Sequence, residues 1–187
     1  MYDPWQNCKT RNNYNADEVI SALQKSIRRS NEIDACKFAY ELYLTSEELE
    51  EKLWKRLLVI SVEDVGLGNP NASVIVNNLY QMRKAFNYQD IDRPLFFIHA
   101  VRVLCNSKKD RSSDLLKNIV EKEFNKGILP EIPDYALDMH TRRGQEMGRD
   151  INHFINVAST TTPNLEVDND YKEEFLKLLE EELRKSK

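Results

Sequence analysis

The residues best suited to chemistry lie between 134 and 153, where Asp134, Asp138, His140 and His153 combine two carboxylates with two of the three histidines. A carboxylate two residues from an imidazole can fix its tautomer, and an imidazole titrates near neutral pH, so Asp138-x-His140 is an acid–base pair in outline. The same groups are metal-ligand types. Metal sites, however, favour ligands on adjacent helical turns, and no HxxxH, HxxE or ExxH pair occurs. Surface polar residues capping short helices are the competing reading. Arg142, Arg143 and Arg149 in the same segment suit an acidic partner or a phosphate, or simply form a solvated face.

Two other places invite a chemical reading. Cys105 lies near Lys108 and Lys109, and basic neighbours can lower a thiol pKa. No His or Asp stands at a recognisable spacing from it, so core packing is the simpler role. Gly66 and Gly68, in "EDVGLGNPNA", suggest a phosphate cradle. A dinucleotide fingerprint needs a third glycine after a strand, and a P-loop needs GxxxxGK[ST]; both are absent, and a helix precedes these glycines. The stretch therefore predicts a corner between helices. His99, inside an apolar helix, reads as a core histidine.

The elements that must position these residues are helical. Five Gly and six Pro in 187 residues, with abundant Glu, Lys and Leu, leave few breakers. Asn15 with Glu18 opens a first helix bearing Val19, Leu23 and Ile27 on one face. Residues 32–44 carry Cys36, Ala39, Tyr40 and Tyr43 on a stripe, with Phe38 and Leu42 beside it. Thr45-Ser46-Glu47-Glu48 caps a helix with Leu49, Leu53, Leu57 and Ile60 inward. Gly66 stops it, and Asn69 caps the next with Pro70 at its first position. That helix is expected to bury Ile75, Leu79, Met82 and Phe86. "RPLFFIHAVRVLC", after Asp92, is apolar nearly all round and is the candidate central helix. Residues 111–126 should turn Leu116, Val120 and Phe124 inward and stop at Gly127. Asp168 caps a last helix with Phe175, Leu179 and Leu183 inward. No stretch alternates with period two, so the fold class is all-α, with about seven main helices. The expected organisation is a polar arm (1–14) and one helical domain (15–187), with subdomains 15–127 and 128–187.

Composition narrows the function. Net charge is −4, against the basic balance usual for a free-standing nucleic-acid binder, so nucleic-acid contact through local arginine and lysine clusters is a lesser alternative. Three cysteines without CxxC spacing fit a reducing cytoplasm. No signal peptide or membrane span is visible. No cofactor and no metal are expected.

Two segments resemble a known family. "RLLVISVEDVGLGNPNA" (56–72) is similar to the helix corner opening the C-terminal region of the replication-associated recombination ATPases, bacterial AAA+ proteins related to clamp loaders. Glu63, Asp64, Gly66, Leu67 and Pro70 match; Val62, Gly68 and Asn69 replace the usual Ser, Ala and Asp. "IPDYALDMHTRRGQEMGRDINHF" (132–154) resembles the family's late segment, and Lys108 falls where the family has a lysine loop. The resemblance implies a multi-helix orthogonal bundle of the kind that joins clamp-loader subunits as a collar. It implies an oligomerisation or adaptor role in DNA replication, repair or recombination, without catalysis. It further implies a homo-oligomer, tetramer or dimer, and an AAA+ ATPase as the other candidate partner. The chain begins at methionine and carries neither Walker element, so a stand-alone relative of the collar is expected. Glu63 and Asp64, unfavourable in the last turn of a helix, should either cap an adjacent helix N-terminus or pair with an arginine such as Arg56 or Arg102. The rival expectation is an enzyme built on Asp138, His140 and His153.

Overall fold

A computed structural model describes residues 4–165 and 170–185, and among these it is helical with no strand. The chain divides into two compact units, 1–129 and 130–187.

The first unit is built from six helices: α1 (Ala16–Arg28), α2 (Glu32–Thr45), α3 (Glu47–Ile60), α4 (Ala72–Met82), α5 (Arg93–Asn106) and α6 (Ser112–Asn125). α2 is sandwiched by α1, α3 and α5, and α4 closes over α5. The core is apolar and continuous, with Leu23 and Ile27 from α1, Leu42 from α2, Trp54 and Leu57 from α3, and Phe97 and Leu104 from α5 fully enclosed. Ser46 starts α3 as its sequence predicts: its hydroxyl accepts the Leu49 N–H. Asn15 also stands before a helix, but its side chain instead accepts from Lys9 Nζ at 2.6 Å. In the stretch before α1, the Asn12 amides donate to Glu41 and the Arg11 N–H to Thr45 Oγ1.

Four faces differ from expectation. α4 begins at Ala72, beyond Asn69 and Pro70, and buries Ala72 and Val76 with Arg83 just past its end, while Met82 is exposed. α5 buries one face only, so Leu95 and His99 are exposed. His99 lies two residues from the buried Phe97 and Val101, roughly 200° round the helix, which turns it to solvent. On α2, Tyr40 is largely outward and Leu42 inward. α6 buries nothing: Leu115, Leu116, Ile119, Val120 and Phe124 are 42–61% exposed. Gly127 ends α6 with φ +75°, the left-handed turn foreseen for it.

The second unit holds α7 (Arg142–Glu146), α8 (Ile151–His153, extended by a wider turn over Phe154–Ala158) and α9 (Tyr171–Lys185). In α9, Leu179 is half-buried and Phe175 is 47% exposed. Asp168 and the side chain of Leu183 lie outside the described residues.

Candidate functional site

α3 does not stop cleanly. After Ile60 the chain widens into a π-helical turn, Ser61–Val65, and Gly66 reverses it with φ +47°. Such wide turns push a side chain out of the regular helical register. Here the turn drives Asp64 inward, where it has no exposure to solvent. A buried carboxylate needs partners, and it has three. Arg28 Nε donates to Oδ1 at 2.6 Å and Gln24 Nε2 to Oδ2 at 2.9 Å. Arg111 Nε lies 3.2 Å from Oδ1, within ion-pair range though off the hydrogen-bond direction. Glu63 widens the network, 3.7 Å from Arg28 and 3.4 Å from Arg111. The partners are thus Arg28 and Arg111, not Arg56 or Arg102. Arg56 reaches Gln24 instead, and Arg102 holds Glu32.

The glycines explain what the corner is for. A Cβ on Gly66 would stand 2.6 Å from the Asp110 carbonyl oxygen, and one on Gly68 2.5 Å from that of Lys108. The α5–α6 loop is therefore pressed against the corner backbone to backbone. The Asp110 N–H donates to the carbonyls of Asp64 and Val65, and Asn69 Nδ2 donates to Ser107 Oγ at 2.9 Å. Asn69 Oδ1 accepts from the Asn71 N–H at 3.3 Å, a turn bond preceding α4. Asp110 turns its carboxylate to Ser112, whose N–H and hydroxyl hold it below the usual carboxylate range. "EDVGLGN" is a seat, and "SKKDR" sits in it. Leu67 and Lys108 stay in solvent.

Replacing Gly68 with alanine is expected to cost about 1–3 kcal/mol, because the obstructing atoms are backbone and cannot turn aside. Thermal unfolding reads this directly. Leu67→Ala, at the 72% exposed residue directly before Gly68, should leave the melting temperature unchanged.

Lys109, not Lys108, is the working lysine of the loop. Its ammonium donates to the carbonyls of Leu104, Cys105 and Ser107 at 2.6–3.0 Å, closing the C-terminal end of α5. Burial pulls its pKa down. Cys105 beneath it does not become reactive. Burial pushes its thiol up to about 11, outweighing the opposing pull of Lys109.

A second charged network escaped the sequence reading. Glu50, 1% exposed, accepts from Nε and Nη2 of Arg93 at 2.8–3.1 Å and from Trp54 Nε1 at 3.2 Å; Arg83 approaches at 3.5 Å. Arg83 also pairs with Glu51, which accepts from the Tyr80 hydroxyl at 2.7 Å. Glu50 precedes Trp54 and Leu57 by four and seven residues, so it shares their buried face. A charge on that face was the available signal.

In the second unit, Asp138 and His140 do meet. Asp138 Oδ1 accepts the His140 N–H at 2.9 Å, and Oδ2 lies 3.2 Å from His140 Nδ1. The first of these bonds chiefly holds Asp138 below its ordinary pKa. The His140 ring stands edge-on to Phe154. His153, half-buried, keeps an Nδ1 with no hydrogen-bond partner among the described residues. Among those residues no group of three or more His, Cys, Asp or Glu side chains is placed to hold a metal. Arg149 is spent internally, on the Asp134 carboxylate and the Asp134 and Leu137 carbonyls. Arg142 pairs with Glu146, and Arg143 is exposed. Gly144 is required where it stands: its Cβ would fall 1.9 Å from the Asp138 carbonyl oxygen.

The described residues are all-helical, as the resemblance implies, and none of their helices is long and apolar enough to cross a membrane. The chain belongs to the family described as MgsA AAA+ ATPase C terminal, whose model matches residues 31–178. It is also similar to the replication-associated recombination protein A of Bacillus subtilis (strain 168), with 34% identity over 136 residues. Those residues are 73% of this chain and 31% of that relative, so the chain spans about a third of the protein it matches.

Proposed function

We propose that this chain is a helical self-association module, an adaptor related to the C-terminal region of recombination-associated AAA+ ATPases, acting in replication or repair without catalysis of its own. The observation that carries the reading is α6. Five large apolar side chains on one face of a three-to-four-turn helix stand roughly half in water. Covering the rest of each is favourable by on the order of 1 kcal/mol. The family context supports assembly, and the relative's name supports the link to replication-associated recombination. An AAA+ ATPase is the further partner that this family context suggests. The bundle of α1 to α5 is the body that carries α6.

Leu116→Asp tests the reading. A carboxylate placed in an apolar contact costs about 3 kcal/mol, so self-association should weaken by roughly 100-fold. Because Leu116 is 60% exposed in the single chain, its melting temperature at low concentration should barely move. Equal association of variant and unmodified chain in analytical ultracentrifugation would refute the reading.

A further inference from the structure

Two basic stretches far apart in the chain meet on one surface: Lys25, Arg28 and Arg29 at the end of α1, and Lys108, Lys109 and Arg111 before α6. The Asp64 carboxylate joins them, its Oδ1 lying 2.6 Å from Arg28 Nε and 3.2 Å from Arg111 Nε. Lys109 reaches Ser30 Oγ, directly after Arg29, at 3.4 Å. Arg56 of α3 enters through Gln24, which shares Asp64. Along α1 the three cations project within about 100° of one another, opposite the buried Leu23 and Ile27. Against these seven cations stand four carboxylates, Glu63, Asp64, Asp110 and Asp114. The surface thus has three more cations than carboxylates, in a chain whose net charge is −4. Glu47, Glu48 and Glu50 gather instead in the first turn of α3, so the basic field is local.

The network holds more donors than acceptors. In hydrogen bonds Arg28 uses only Nε, and Arg56 only Nη1. The Nε atoms of Arg56 and Arg111 are buried with no hydrogen-bond partner among the described residues. Lys25, Arg29 and Lys108 are exposed and have no carboxylate partner among those residues. Guanidinium and ammonium groups only donate, so what completes the set is an anion rich in acceptors. An arginine already held along one edge by a buried carboxylate loses little further freedom when a phosphate takes its other edge. Cations contributed by α1, α3 and a loop form a spread surface, which suits the repeating charge of a duplex. No aromatic side chain takes part, which leaves single-stranded bases without a stacking platform. We infer that this surface, from the end of α1 across the corner to the α5–α6 loop, binds the phosphate backbone of a nucleic-acid duplex without reading its bases. None of its cations lies on the apolar face of α6, so the inference stands apart from the self-association reading.

Fluorescence anisotropy with a labelled duplex of about twenty base pairs tests it. About four phosphate contacts make the association constant fall with salt on a log–log slope of about −4. Arg29→Glu combined with Lys108→Glu should weaken binding at least roughly tenfold and flatten the slope by about 2. Arg142→Glu combined with Arg143→Glu makes the same change of net charge at two exposed arginines of the second unit. That control should leave binding within about threefold and the slope unchanged. Both double variants should melt as the unmodified chain does, because the altered side chains are exposed. Equal weakening by the two would show that net charge alone matters and would overturn the assignment of this surface. An unmodified chain that leaves the duplex unbound at low salt would overturn it too. So would tighter binding of a single strand, or of polyglutamate, than of the duplex; the latter would give the surface to an acidic protein.

Discussion

Glu50→Ala is expected to lower the unfolding free energy by about 3–5 kcal/mol, the cost of leaving buried cations without their counter-charge. Arg83 and Arg93 have side chains only 6% and 11% exposed, so neither can turn to water when the carboxylate is gone. Arg93 shows how tightly the group is held. Burial alone would lower its pKa, yet the hydrogen bonds and charge of Glu50 raise it. Trp54 Nε1, in the core, would lose its acceptor as well. Glu50→Gln keeps an acceptor oxygen but removes the charge, and should fall between the two. Denaturant unfolding followed by Trp54 fluorescence reads the series. A loss below about 1 kcal/mol for Glu50→Ala would show that the arginines find other partners.

Asp64→Ala should cost less, about 2–3 kcal/mol, although Asp64 is even more deeply buried. The difference lies in its partners. The Arg28 and Arg111 side chains are 28% and 39% exposed and can recover water once released. What they cannot replace is the bond holding the body to α6, since Arg111 stands immediately before that helix. Asp64→Ala should therefore weaken self-association beyond the loss expected from the unfolded fraction. An unchanged melting temperature would remove Asp64 from any structural role.

The helices and the two-glycine corner were legible in the sequence because their causes are local. Ser46 caps within three residues, and Gly66 and Gly127 supply the positive φ that a reversal needs. The role of the corner was not legible. Its glycines make room for a loop forty residues further along, and no local pattern announces a backbone contact at 2.5 Å. The burial of α4 turned on a similarly distant demand. Glu50 draws Arg83 inward, which leaves Met82 facing out against its hydropathy. The amphipathic pattern of α6 was legible, but the inward turn expected of Leu116, Val120 and Phe124 is not what the structure has, because periodicity marks an apolar face without saying what covers it. In the 134–153 segment the sequence singled out Asp138 and His140, which meet, while Arg149, grouped with two neighbouring arginines, is occupied inside its own unit.

Light scattering on the unmodified chain, from micromolar to near-millimolar concentration, asks most directly whether it associates with itself. A mass rising from one chain to a plateau at two, or at four where pairs of chains join, is the expected result. A mass fixed at 22.0 kDa across the whole range would contradict it.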